Sequence, residues 1–146
     1  MAVDEALFSH NSDEWETPQD LFDKLNDEFN FDIDVCATEE NAKCNVFFTA
    51  EQDGLAQNWG GHRVWCNPPY SKIDKWAEKA FRETKNDNTI VVMLIPSRTD
   101  TKYFHNYIYQ RTEIRFIKGR LKFSGSKNSA PFPSMIVIFR GANIKE

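Results

Sequence analysis

An α/β fold with a mainly parallel sheet and an antiparallel edge strand is what this sequence predicts, on three observations. Apolar runs of strand length alternate with segments of helical period over most of the chain. The run over 90–95 is apolar throughout and rich in β-branched residues, as a strand covered on both faces requires. The last two strand-like runs, 114–117 and 135–139, come together with no helical pattern between them, which places the antiparallel edge.

The elements follow in order. Residues 1–12 read as a polar, acidic lead-in, and 13–146 as one domain. Thr17-Pro18 predicts a helix start, with Thr at the cap and Pro at the first helical position. Leu21, Phe22, Leu25 and Phe29 then recur at helical spacing. Residues 31–35 alternate apolar and acidic side chains and predict a strand, 44–49 predict a second, and Asp53-Gly54-Leu55 marks a turn. Residues 63–66 predict a third strand, stopped at Pro68-Pro69 because proline cannot continue a ladder. A helix is expected over 72–85, with Trp76, Ala80 and Phe81 on one face. Pro96 ends the apolar strand, 103–109 read as helical, and 125–133 as a loop.

A chain of 146 residues suits one domain, and twelve Phe with four Trp are enough for its core. No run of eighteen apolar residues exists, so no membrane span is expected. Met1 to Ser12 carries no secretory signal. The three cysteines are odd in number and lack C-x-x-C spacing, which argues against a disulfide framework or a zinc site and for a reducing, intracellular setting. His10, His62 and His105 are scattered, without metal-ligand spacing.

The net charge of −4 hides a division. Residues 1–60 carry 15 acids and 2 bases, a net of −13, and residues 61–146 carry 7 acids and 16 bases, a net of +9. A basic half can meet phosphate although the whole chain is acidic, and solvated surface charge is the plainer alternative. Arg98, Arg120, Lys122 and Lys72 are the candidate DNA contacts, the middle two beside the Gly-Ser-rich loop.

The chemistry concentrates in Asn67-Pro68-Pro69-Tyr70. Ligands of open α/β sheets bind beyond the carboxyl ends of strands. Two prolines there fix the backbone and remove two N–H donors, which leaves the Asn67 side-chain carbonyl and the Pro68 carbonyl as acceptors. A planar amine offers two donors to match, and binding both draws the nitrogen towards a more nucleophilic geometry. Tyr70 offers a stacking face, worth roughly 1–3 kcal/mol per base. Displacement at a sulfonium methyl group mainly requires positioning, and a base in a duplex must be flipped out to be reached.

With these pieces in order, the chain resembles the phage-encoded Dam-type adenine-N6 DNA methyltransferases, from about Glu14 to about Phe139. The resemblance rests on Trp15-Glu16-Thr17-Pro18, the 31–37 segment, Asp53-Gly54-Leu55 with Trp59, Asn67-Pro68-Pro69-Tyr70-Ser71, Leu94-Ile95-Pro96 with Thr99-Asp100-Thr101, and Gly119-Arg120-Leu121-Lys122-Phe123. It implies a compact Rossmann-like fold of the class I S-adenosylmethionine-dependent methyltransferases, acting on DNA in the cytoplasm of a bacterial host. It further implies that Thr17 and Pro18 approach the methionine end of the cofactor, that Asp34, Cys36 and Ala37 occupy the cofactor loop, and that Asp53 contacts its adenosine. Phe123 or Phe132 would cover the second face of the base. Trp15 either stacks on the cofactor or staples the first helix.

Two features depart from the family pattern. No glycine follows Asp34 until Gly54, so the usual glycine-rich turn is absent. Only 19 positions separate Asp34 from Asp53, which leaves little room for a helix. A second register, with Asp34 after the second strand and holding ribose hydroxyls, stays open. Two rival functions also stay open: methylation of RNA or of a protein glutamine, whose amide is likewise a planar amine, and a non-catalytic nucleic-acid-binding module. Target recognition falls to the 71–75 and 120–133 loops, to a second subunit, as in a homodimer, or is not stringent.

Overall fold

The computed structural model describes residues 15–144; the lead-in expected over 1–12 lies outside the described residues. The strands are β1 (Ile33–Asp34), β2 (Arg63–Cys66), β3 (Ile90–Pro96), β4 (Glu113–Phe116) and β5 (Ser134–Arg140), and the α-helices are α1 (Gln19–Phe29) and α2 (Ile73–Glu83). The strands form one sheet in the order β1-β2-β3-β5-β4. β1, β2 and β3 pair in parallel, β5 runs against β3, and β4 runs against β5. β4 therefore points the same way as β1, β2 and β3. The edge is antiparallel in its pairing, as expected, but the reversed strand is β5, one place in from that edge.

The apolar runs are explained by burial on both faces. Along β3, Val91, Met93 and Ile95 join one core and Ile90, Val92 and Leu94 the other, the two-residue period of a strand. Trp76, Ala77 and Ala80 of α2 complete the first core, and Phe22, Leu25 and Phe29 of α1 the second. Burying those three side chains of α1 contributes roughly 1.5–3 kcal/mol each. α1 ends where Asn30 turns left-handed, at φ 54°. The helical turn expected near 103–109 is present and widened over Phe104–Ile108, where the Tyr109 N–H donates to the Phe104 carbonyl five residues back at 2.7 Å.

Three local expectations are corrected. Pro18, not Thr17, stands at the cap of α1, and no side chain caps it. Thr17 is drawn elsewhere: its hydroxyl accepts from Asn67 Nδ2 and its carbonyl from the Ser124 hydroxyl. The 31–35 strand shortens to two ladder residues, although the Asp32 and Val35 amides still donate to the Arg63 and Trp65 carbonyls. The 44–49 strand reduces to one bridge, Phe47 to Asp34. A two-residue β1 offers little to pair with, and the chain turns just before, where the Lys43 amide donates to the Asp34 carboxylate.

This topology places Asp34 at the end of the first strand. β1 lies directly beside β2, which leads into Asn67, and the Phe47 bridge lies on the other side of β1. The connection from β1 to β2 holds only a short turn, Gly54–Ala56, in keeping with the limited room. Among the described residues, no helix is long and apolar enough to cross a membrane.

Candidate active site

Because β1, β2, β3 and β4 are co-directional, their carboxyl ends share one rim of the sheet. Asp34, Asn67, Arg98 and the 117–133 loop all emerge there. At Asn67 the chain leaves β2, passes Pro68-Pro69, and tightens into a turn at Tyr70–Lys72 that feeds α2. Pro68 is buried.

The orientation of the Asn67 amide follows from its partners. Nδ2 faces the Trp15 carbonyl, which can only accept, and donates also to Thr17 Oγ1 at 2.9 Å. Oδ1 is therefore the atom left over, and it is buried without a hydrogen-bond partner. A buried acceptor left unpaired costs about 1–3 kcal/mol, and a ligand N–H placed against Oδ1 would recover it.

Tyr70 is half-buried, and its hydroxyl makes a long contact with the Leu94 carbonyl at 3.5 Å. Burial holds the phenol well above its usual pKa, so the ring stays neutral. With it, three further rings form a cluster of four. Trp15 lies 5.2 Å from both Phe123 and Phe132, and Tyr70 lies 5.6 Å from Phe132 and 6.5 Å from Phe123. The Ser124 amide fastens the loop to the entry segment by donating to the Glu16 carbonyl at 3.0 Å. Phe123 is 1 % exposed and belongs to the core, where Trp15 encloses it. Phe132, half-buried at the rim, is the better placed of the two to meet a base.

A cleft of ≈ 1030 Å³ opens along the same rim. Trp15, Thr17, Cys36, Ala37 and Asp53 line it together with Asn67, Pro69 and Lys72. Pro18 and Asp34 do not line it. The Asp34 carboxylate instead accepts from the backbone amides of Cys36 at 3.2 Å and Lys43 at 3.0 Å. Burial, opposed by those two bonds and by Lys43, pushes its pKa up to about 6. Arg98, Arg120 and Lys122 are exposed and outside the cleft wall.

The floor depends on Gly54. A Cβ there would lie 2.1 Å from the Val35 carbonyl and 3.0 Å from the Trp76 ring, so only glycine lets this turn close on the loop after β1. Trp59 Nε1 donates to the Gly54 carbonyl at 2.9 Å. Asp53 takes φ 55° and accepts from the Leu55 amide, which shapes the same turn. Glu16, Glu39, Glu40, Glu51 and Asp53 face the cleft against Lys43, Lys72 and Lys75, an acidic balance that suits a cationic ligand.

Sequence reading missed Phe48, Lys75 and Trp76 as cleft residues. Lys72, Lys75 and Trp76 stand at i, i+3 and i+4, which puts them on one helical face next to the proline turn. That spacing was the available signal for the last two.

The chain is similar to known proteins over most of its length. The family described as DNA N-6-adenine-methyltransferase (Dam) matches residues 5–145. A protein of Haemophilus phage HP1 (strain HP1c1), named DNA N-6-adenine-methyltransferase, is 34 % identical over 137 residues, covering 88 % of this chain and 79 % of its own. A protein of the same name from Escherichia phage T1 is 34 % identical over 111 residues, covering 75 % of this chain and 46 % of its own.

Proposed function

The chain belongs to the DNA N-6-adenine-methyltransferase (Dam) family, and on that premise we propose that it transfers methyl from S-adenosylmethionine to the N6 amine of a flipped adenine in DNA, held by Asn67. One domain over 13–146 carries the reaction. The observation behind this reading is the Asn67 amide, with Nδ2 doubly held and Oδ1 buried and unpartnered.

The cleft fits the cofactor. Its acidic side chains complement a sulfonium and an ammonium group, and Val35, Phe48, Leu55 and Trp76 offer apolar surface to a purine. Trp15, Thr17, Cys36, Ala37 and Asp53 would hold it, with Pro18 and Asp34 shaping the wall from behind. When bound, S-adenosylmethionine supplies the electrophilic methyl group.

The chain's own residues supply placement. Asn67 Oδ1 and the Pro68 carbonyl accept the two amine protons of adenine and so aim the nitrogen lone pair. Pro68 and Pro69 keep those acceptors from turning away, and Tyr70 stacks the base. No side chain needs to act as a strong base, since the surplus proton of the methylated nitrogen passes to solvent. To reach Tyr70 the base must part it from Phe132, so the 124–133 loop swings aside as DNA binds. Phe132 then closes on the second face. Lys72, Arg98, Arg120 and Lys122 meet phosphates.

The test is incubation with labelled S-adenosylmethionine and, separately, unmethylated duplex DNA, total RNA and protein. Label is expected in N6-methyladenine of the DNA. Label in RNA or protein alone would overturn the substrate, and no label together with no binding of S-adenosylhomocysteine would leave a bare binding module.

A further inference from the structure

The last residue of β1 stands behind the cleft wall without lining it. Asp34 is 3 % exposed, and both carboxylate oxygens are engaged by backbone amides: Oδ1 by Cys36 at 3.2 Å and Oδ2 by Lys43 at 3.0 Å. Those amides stand at the two ends of the segment that forms one wall of the cleft, residues 36–41 with Lys43. The segment contains no glycine, so its composition does not select a tight turn by itself. The Asp34 carboxylate ties its two ends together, while Thr38 and Asn41 brace it within and the Ala37 amide donates to the Phe48 carbonyl.

We propose that Asp34 is a positioning residue whose ionised carboxylate holds the 36–43 loop in its cofactor-binding shape, so that protonation releases the loop and weakens cofactor binding. The proposal rests on reading the cleft as the S-adenosylmethionine site. A carboxylate accepts at both oxygens, whereas a carboxylic acid turns one of them into a donor that faces an N–H. The groups around it set the range. Burial is the largest influence on Asp34 and raises its pKa to about 6 against the two amides and the Lys43 charge. Cys44, across the loop, is pushed up to about 12, first by its own burial, and Cys66 of β2 is raised by complete burial. Both thiols stay neutral in this range. Cys36 faces Asp34 through its amide, and Asp32 lies two residues back on the chain.

The direction of linkage separates this effect from unfolding. The Asp34 pKa is raised in the folded chain, so the stability linked to it is fully present at low pH and declines as pH rises through about 6. Acidification to pH 5 therefore weakens cofactor binding through Asp34 without unfolding the chain through Asp34.

Calorimetric titration with S-adenosylhomocysteine from pH 5 to pH 8 tests this on the wild-type chain and on Asp34→Asn, with circular dichroism at each pH. If binding requires the ionised form, wild-type affinity falls about tenfold from pH 7.5 to pH 5. Asp34→Asn keeps one acceptor and loses the other, so it binds about tenfold more weakly at pH 7.5 and its profile is flat. Equal wild-type affinity at pH 5 and pH 7.5 overturns the proposal and leaves the cofactor reading standing. So does an Asn variant with wild-type affinity and slope. Absence of binding at every pH overturns the cofactor reading, and the proposal with it. Should the variant fail to fold, the wild-type profile decides alone.

Discussion

In the proposed reaction the two amide atoms of Asn67 have different tasks. Nδ2 is held by Trp15 and Thr17, and Oδ1, buried without a partner, is the atom proposed to meet the substrate. Asn67→Ala removes the acceptor and is expected to lower turnover by about 100-fold or more, with S-adenosylhomocysteine affinity within about threefold of wild type. Asn67→Asp keeps an acceptor but sets a carboxylate against the Trp15 carbonyl, so its activity should fall between the two. A radiolabel transfer assay ranks all three, and near-normal turnover in Asn67→Ala would place the chemistry elsewhere. Gly54→Ala drives a methyl group into the Val35 carbonyl and should cost about 1–3 kcal/mol in urea unfolding, with weaker cofactor binding. The position of Asn-Pro-Pro-Tyr at the carboxyl end of a strand was legible in the sequence because its residue types sit consecutively after an apolar run. The Thr17–Asn67 contact was not, because its partners are 50 positions apart. Phe123 sits among the polar neighbours Lys122 and Ser124, which give no sign of its burial against Trp15, more than a hundred positions away.

Base entry as proposed requires movement within the 117–133 segment, in its 124–133 loop. The segment is irregular, closed by the Ala130 amide donating to the Leu121 carbonyl at 2.7 Å, and it packs Phe123 and Phe132 against Trp15. Of the four tryptophans, Trp59, Trp65 and Trp76 are buried at 0 %, 1 % and 5 % exposure, so Trp15 is the indole best placed to report on that contact. Duplex DNA should change the tryptophan emission of the wild-type chain and change it far less in Trp15→Phe. A full-sized change in the variant would mean that the aromatic cluster stays shut. Elements with a strong period, such as β3, β5 and the apolar faces of α1 and α2, were readable from the chain alone. The 44–49 run was not, because an extended run becomes a strand only where its neighbour is long enough, and β1 is two residues long.

For the whole molecule, the division of charge along the chain becomes a division of labour along one rim. The acidic first half supplies most of the cleft proposed for the cofactor, and the basic second half supplies Arg98, Arg120 and Lys122 on the same rim. Affinity for duplex DNA, followed by fluorescence anisotropy between 50 and 200 mM salt, should fall linearly on logarithmic axes. Arg120→Ala and Lys122→Ala should each reduce the slope by about one. Unchanged slopes would move the phosphate contacts away from these side chains. The reversed strand β5 also has a bearing on biosynthesis. It is the only strand that joins β4 to the rest of the sheet, yet it follows β4 in the chain. A growing polypeptide thus presents the bare edge of β3 until residue 140 has left the ribosome, 24 residues after β4 is complete. At cellular elongation rates that interval lasts about 1–5 s, long enough for an uncovered apolar edge to meet another nascent chain before its own last strand arrives.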